Sequence, residues 1–312
     1  LANGHRFLDA CTVVVVDEAA MVGTRHLFEI VRRCLAADAK LVLVGDAGQL
    51  QAIDPGGGFA ALAAAHGAVH LTEIVRQRET WAREAVKDFA HGNTAAALAA
   101  FDSRGLVSVT PEADTAEARL LADWARDGLA ELRGRIILAG THEEVNRLNA
   151  MAQERCRDDG LLTGEGCRIG DDQVWAGDRI LCLRNHLGLG VFNGDLGSVI
   201  AVQEGCLQVA FDNGWEVRID PVAYPHLKLG YALTTHKAQG MTTEQAYVLT
   251  GRMQSRELTY VQASRARGIT RFYVGGEDLG VVANRMHQAR PKALATDVAR
   301  TAGPVLAHEL LP

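Results

Sequence analysis

Residues 13–23 read VVVVDEAAMVG: four consecutive β-branched residues run straight into two carboxylates and then into a helix-like stretch. Side chains branched at Cβ lose rotamer freedom in a helix and fit a pleated surface, so Val13–Val16 predicts a strand. Every position is apolar, not every second one, which predicts a buried parallel strand between helical layers. KLVLVGD repeats the pattern from Lys40, and helix-like stretches follow the two runs at about Arg25 to Leu35 and at Gly57 to Ala65. Val69 to Leu71 reads as a further short strand, Thr80 to Ala100 as a helical region broken at His91-Gly92-Asn93, and RIILAG as another buried strand. Thr141 and Glu144 then make a capping box for a helix carrying Val145, Leu148 and Met151 on one face.

The period changes near Val174. VWAGDRILCL, GDLGSVIAVQ, GCLQVAFD and GWEVRID alternate at period two and are broken at Asn193-Gly194, Glu204-Gly205 and Asn213-Gly214. Such a meander of hairpins is most simply a small β-barrel. After Pro225 the buried strands return as GYALTT, QAYVLT and RFYVGG, so the barrel is expected as an insertion within an α/β domain. From about Glu277 a single helix and then a polar, Ala-rich, Pro-punctuated tail with little order are expected.

With 48% hydrophobic and 22% charged residues and no apolar run long enough for a membrane helix, the chain reads as soluble and globular. A net charge of −6 gives no global attraction to nucleic acid, yet a local basic groove is compatible with it. Cys11, Cys34, Cys156, Cys167, Cys182 and Cys206 form no C-x-x-C pair, so neither a zinc site nor a disulfide framework is favoured and a reduced, cytoplasmic setting is expected. The chain begins at Leu1 with no signal-like segment and reads as the interior of a longer protein.

An acid at the carboxyl end of a parallel strand points into the crevice where open α/β sheets bind ligands. Asp17 and Glu18 occupy one such end and Asp46 a second, with Gln49 one turn further on. In a phosphate-transferring enzyme Asp17 would hold Mg²⁺ and Glu18 would orient or deprotonate the attacking water, although an isolated Asp-Glu pair also serves simply as a helix cap. EIVRQR supplies Arg76 and Arg78, and ELTYVQASRAR supplies Arg265 and Arg267, guanidinium groups suited to a transferring phosphoryl group. Between them YALTTHKAQGMT puts Thr234, Thr235, His236, Lys237 and Gln239 on a strand-to-helix turn closed by Gly240, with hydroxyls, backbone N–H groups and a Lys suited to phosphate. Trp81, Trp175, Phe192 and Trp215 are aromatic candidates for base stacking, but aromatic residues of this kind more often fill cores, and none is assigned a role.

In this order DEAAMV, VGDAGQLQAI, EIVRQR, YALTTHKAQGMT and YVQASRAR resemble motifs II to VI of superfamily 1 DNA helicases. The resemblance is closest to RecD-like helicases and to the helicase region of conjugative relaxases of the TraA/TrwC type, through GDRILCLRNHLGLGVFNGDLGSV and VAYPHLKLGYALTTHKAQG. It implies P-loop NTPase RecA-like domains, the first truncated, with a small SH3-like β-barrel inserted in the second. The implied boundaries are 1–72 for the first domain, 73–172 with 226–276 for the second, 173–225 for the barrel and 277–312 for the final helix and tail.

The resemblance further implies that Asp17 is the Mg²⁺ ligand, Glu18 the catalytic acid, Gln49 the γ-phosphate sensor, and Arg76 and Arg265 the arginines that reach ATP. Asp46, Gln77, Gly240 and Thr242 fall on the nucleotide side. Thr235, His236, Lys237 and Gln239 fall on the side of single-stranded DNA. Thr242 stands where many relatives have a Glu near the ribose, a departure from the family's pattern. A P-loop, G-x-x-x-x-G-K-[ST], is absent: Lys40, Lys87, Lys228, Lys237 and Lys292 neither follow a Gly nor precede a Ser or Thr. The expected complement is therefore an upstream helicase segment carrying the P-loop, with a relaxase domain beyond it. The expected activity is an ATP-dependent motor moving 5′ to 3′ on single-stranded DNA, inactive in hydrolysis as these residues alone. A non-hydrolysing DNA-binding module derived from such a motor is the alternative from another class, and a small-substrate α/β hydrolase a third.

Overall fold

The structure, a computed structural model, describes residues 8–52, 54, 56–129 and 131–290. The expected tail lies almost wholly at 291–312, outside the described residues. The chain divides into two compact units, residues 1–73 with 289–312, and residues 74–288.

In the first unit β1 (Val13–Val16), α1 (Thr24–Ala36) and β2 (Lys40–Leu43) form a β-α-β unit, the crossover that a parallel pair requires. The strands are in register from Val13 opposite Lys40 to Val16 opposite Leu43. Leu27 and Cys34 turn the buried side of α1 inward, while Glu29 binds Arg32 and Arg33 on the outside. These guanidinium groups hold the Glu29 carboxyl down at about 2. α2 (Gly58–His66) follows after Gly57, whose φ of 96° favours glycine. β1 departs from the expected burial on both faces: Val13 and Val15 are exposed, because β2 is its only partner among the described residues. Val69 to Leu71, expected as a strand, is irregular, with Val69 and Leu71 almost fully exposed; local apolar character makes no strand without a ladder partner.

The second unit opens with α3 (Thr80–His91) and α4 (Thr94–Asp102), separated at Gly92 as the sequence indicates. β3 (Val107–Thr110), α5 (Ala113–Arg126), β4 (Arg135–Ala139) and α6 (His142–Asp158) follow, the last with its Thr141/Glu144 capping box formed. Next come β5 (Thr163–Ile169), β6 (Asp172–Ala176), β7 (Arg179–Cys182), β8 (Leu196–Gln203), β9 (Cys206–Phe211), β10 (Glu216–Ile219) and β11 (Leu227–Leu229). β12 (Ala232–Thr234), β13 (Thr243–Thr250), α7 (Arg256–Ala263), β14 (Ala266–Gly275) and α8 (Leu279–His287) complete it.

Five of these strands make a wholly parallel sheet in the order β12-β4-β13-β14-β3. Its residues alternate between two cores. Ile137, Tyr247 and Tyr273 pack with Leu120, Trp124 and Leu148 of α5 and α6. Ile136, Leu138, Val248 and Phe272 pack with Phe89 and Phe101 of α3 and α4 and with Met286 of α8. Phe101 meets Phe272 edge to face at 5.2 Å between ring centroids. Full burial of each such side chain is worth about 1.5–3 kcal/mol.

The antiparallel strands lie between β4 and β12 in sequence. Their backbone pairing gives an open sheet, β10-β9-β8-β7-β11, and a separate β5-β6 hairpin, not a ladder closed into a barrel. They also begin earlier than Val174, at Thr163, where the two glycines of TGEGCRI hide strand character. The Glu204-Gly205 turn forms as expected, with positive φ at both residues. One buried polar cluster ties this sheet to the parallel one. Asp178, in the turn between β6 and β7, accepts from Tyr231 Oη (2.5 Å), Gln153 Nε2 (2.9 Å) and Trp175 N (2.8 Å). Asn149 of α6 completes the outer backbone edge at β12, accepting from Tyr231 N and Ala232 N and donating to Ala232 O. Burial pushes the Asp178 carboxyl upward, and burial beside it pushes the Tyr231 hydroxyl far above its usual range.

Thiol reactivity is expected to follow this packing. Burial pushes Cys156 and Cys182 up to about 11, leaving about one thiolate in a thousand at pH 8. In the native chain iodoacetamide should modify exposed Cys11 first and leave Cys156 and Cys182 unmodified until denaturant is added. Mass mapping that finds either residue labelled at the rate of Cys11 would contradict the packing described.

Candidate functional site

In the first unit both expected acids stand just past the ends of paired parallel strands. Val44 N donates to Val16 O (2.8 Å) and Ala19 N to Val44 O (2.8 Å), so the two strand ends remain laced together as they enter their loops. Asp17 Oδ1 accepts from Glu18 N at 2.8 Å. Glu18 sits at φ 49°, ψ 40°, a left-handed conformation that costs a non-glycine residue about 1–2 kcal/mol. Gly45 allows the second loop to pass close by, since a Cβ there would lie 3.0 Å from Ala20 N. Asp46 shapes that loop: its carboxylate accepts from Gly48 N (2.8 Å) and Gln49 Nε2 (3.1 Å). The amide is thereby aimed, yet Gln49 Oε1 is buried without a hydrogen-bond partner. An unsatisfied buried acceptor costs about 1–3 kcal/mol, and such costs gather where a ligand group completes the site.

Asp17 and Glu18 fit a Mg²⁺ ion in chemical type, being hard oxygen donors. Among the described residues no cluster of three or more Asp, Glu, His or Cys side chains offers a closed cage.

In the second unit the segment 76–78 is laid on the junction of α7 and β14. Arg76 Nη1 donates to Ser264 O (2.9 Å), and Gln77 Nε2 donates to Ser264 O (3.1 Å) and Ala266 O (2.9 Å). Arg78 N donates to Arg267 O, and its guanidinium pairs with Glu244 at 2.8 Å. Gln77 Oε1 is a further buried acceptor without a partner. Arg265, expected to project as a finger, is instead turned inward and only 2% exposed. Its Nε donates to Val261 O (2.9 Å), Nη1 to Met241 O (3.2 Å) and Nη2 to Ser264 Oγ (2.8 Å). Only one of these partners, Val261 O, is a carbonyl of the last turn of α7; Met241 O is brought alongside by the fold and Ser264 Oγ lies next in the chain.

The segment after β12 also differs from expectation. Residues 235–240 form successive turns that lead directly into β13, with no regular helix for Lys237 to start. Gly240 closes them at φ 80°. Thr235 is fully buried, its hydroxyl donating to Ala139 O (3.2 Å) and accepting from Gln262 Nε2 (2.9 Å), so in this arrangement its side chain positions the turn and touches no DNA. His236, Lys237 and Gln239 are half-buried. Lys237 Nζ reaches Asn193 Oδ1 at the tip of the antiparallel sheet, and burial lowers its ammonium from the ordinary value. Thr242 is exposed and helps line a cavity of about 250 Å³ with Arg135, Arg179 and Asp212. Gln262 and Gln254 are not singled out by sequence, and Asn193 only as a turn residue; the available signal is the Gln beside Val261 in a helix otherwise buried through Leu258 and Ala263.

The chain is a homologue of TraA conjugal transfer proteins and of RecD-like helicases, as the resemblance implied. Residues 2–112 match the family model of an AAA domain. The chain is 38% identical over 282 residues to the conjugal transfer protein TraA of Rhizobium radiobacter, covering 88% of this chain and 25% of TraA. It is 30% identical over 294 residues to the ATP-dependent RecD2 DNA helicase of Deinococcus radiodurans, covering 90% of this chain and 39% of that one. The chain thus spans about a quarter and about two fifths of these relatives. In fold it resembles the Pif1 helicase from Bacteroides, solved in complex with ADP-AlF3 and ssDNA, with a TM-score of 0.58 at 17% identity, covering 93% of this chain and 75% of that one.

The strain at Glu18 is measurable. Glu18→Gly, which removes the left-handed penalty, is expected to raise the unfolding free energy of the chain by about 1 kcal/mol in denaturant titrations. A loss of stability of that size would mean that the Glu18 side chain holds the loop together.

Proposed function

We propose that these residues are motor parts of an ATP-dependent helicase or translocase on single-stranded DNA, moving 5′ to 3′ within a conjugative relaxase-helicase or RecD-like protein of the cytoplasm. The observation that carries this reading is Glu18, held in a left-handed conformation next to Asp17 at the end of a parallel strand. A left-handed Glu also closes the hairpin turn at Glu204, so it is the place of Glu18 beside Asp17 at the carboxyl end of a parallel strand that supports the reading. Asp17 would hold Mg²⁺, which supplies charge neutralisation to the phosphate oxygens when bound. Glu18 would orient the attacking water and accept its proton, and Gln49 would use its unpartnered Oε1 and its Asp46-aimed amide to sense the nearby γ-phosphate and water. Arg76 and Arg265 would stabilise charge on the transferring group, Arg265 after exchanging its carbonyl partners for phosphate. Asp46, Gln77, Gly240 and Thr242 would frame the nucleotide, with His236, Lys237 and Gln239 facing DNA phosphate and Thr235 setting their backbone from inside.

The missing P-loop is assigned to an upstream helicase segment. The exposed Val13 and Val15 and the second edge of β1, unpaired among the described residues, favour a further strand there. The domain limits are read as 1–72, 73–172 with 226–276, and 277–312 for the last helix and tail, the inserted antiparallel region at 173–225 being an SH3-like barrel by descent. The absent P-loop also favours a second reading, a DNA-binding module without hydrolysis.

Two measurements decide between them. This chain should bind labelled oligo-dT in fluorescence anisotropy, with affinity falling as salt rises, and Lys237→Ala should weaken it; no binding at low salt removes the DNA reading altogether. The open reading frame expressed from its own initiation codon should hydrolyse ATP faster with oligo-dT, and Glu18→Gln should abolish that turnover. DNA binding without turnover from the natural start would establish the second reading instead.

A further inference from the structure

The turn from Thr235 to Met241 is held at both ends by α7 and the residues just after it. At its start the buried Thr235 hydroxyl accepts from Gln262 Nε2 at 2.9 Å. At its end Met241 O accepts from Arg265 Nη1 at 3.2 Å. Gln262 lies in the last turn of α7, and Arg265 directly follows the C-cap Ser264. Behind Gln262 the polar chain continues inward. Gln254 Nε2 donates to Gln262 Oε1 (2.7 Å) and Thr259 Oγ1 (2.7 Å), and Thr259 donates to Ser255 O (2.7 Å) at the N-cap of α7.

Gln254, Thr259, Gln262 and Thr235 are all at most 1% exposed. No solvent can replace a lost partner there, and an apolar residue would avoid the cost of burying an amide. The chain therefore fixes one relation, that of the turn to the helix. The two anchors differ in kind. Arg265 is assigned to phosphate, so a movement of its guanidinium would change its hold on Met241 O, whereas Gln262 is assigned no ligand and holds Thr235.

We propose that Gln262 is a positioning residue that couples the 235–241 turn to the Arg265 end of α7, so that single-stranded DNA at the turn and phosphate at Arg265 bias the same element. This rests on the DNA-motor reading above. The physical basis is a continuous buried hydrogen-bond chain between the two segments, and its coupling is a measurable quantity.

Gln262→Met severs the chain at the cost of one Gln254 N–H, which loses Gln262 Oε1, while Thr235 keeps Ala139 O and Gln254 keeps Thr259 Oγ1. Hydrogen exchange read by mass spectrometry on this chain, with and without oligo-dT, tests the coupling. In the unaltered chain and in Thr235→Ser, which keeps the hydroxyl, oligo-dT should slow exchange both in the turn and in 256–265. In Gln262→Met the slowing should persist in the turn and be lost in 256–265. Thr235→Val is the second severing variant should Gln262→Met not fold, as judged by its melting transition, and the same loss is expected. Slowing of 256–265 that survives either folded variant overturns the coupling, as does an α7 that never responds while the turn does. Absence of any oligo-dT effect on the unaltered chain overturns the DNA reading itself, and with it this inference.

Discussion

Parallel strands cannot be joined by a tight turn, and much of this molecule follows from that constraint. β4 and β12 are neighbours in the parallel sheet, yet residues 140–231 separate them in sequence. Loop-closure entropy grows only with the logarithm of length, so this crossover can carry α6 and an entire antiparallel sheet at modest cost. What it cannot do is leave the insertion loose beside an edge strand with unmet backbone groups. Asn149 covers that edge, and Asp178 binds Tyr231 just before β12 begins. The same constraint sends each crossover loop away from the carboxyl end of a strand, and the turn at 235–241 is one such loop.

Against this rigid frame, polar groups stand out where apolar packing would be cheaper. Gln49 and Gln77 each bury an acceptor without a partner, and Glu18 occupies a strained backbone conformation. The residues from Gln254 to Thr235 are buried too, but their chain is satisfied. The contrast is physical. At Gln49, Gln77 and Glu18 a ligand could supply what is missing, whereas the chain from Gln254 to Thr235 is complete without one. Arg265 falls between the two, bound to two protein carbonyls and a serine hydroxyl and yet placed next to the loop segment of Arg76 and Gln77.

Much of the frame was legible because its signals are local. β2, β4 and β13 show as apolar runs, the start of α6 as Thr141 with Glu144, and the break between α3 and α4 as His91-Gly92-Asn93. The misreadings concern strand pairing, which no single run of residues displays. Val69 to Leu71 resembles a strand but finds no ladder. β5 hides behind glycines and forms only against β6. The hairpins were legible one by one, but whether their edges met in a closed ladder was not.

The sequence by itself determined the order of the strands and turns, the acids at strand ends and the five ordered motifs, because backbone propensity and short-range spacing are written in neighbouring residues. Only the tertiary structure decided that Arg265 turns inward onto Met241 O, that Thr235 is sealed in the interior, and that Gln262 binds Thr235 there. A side chain's direction depends on which carbonyls and hydroxyls the fold brings within hydrogen-bond reach, and those come here from residues as far apart as Ala139, Met241 and Val261.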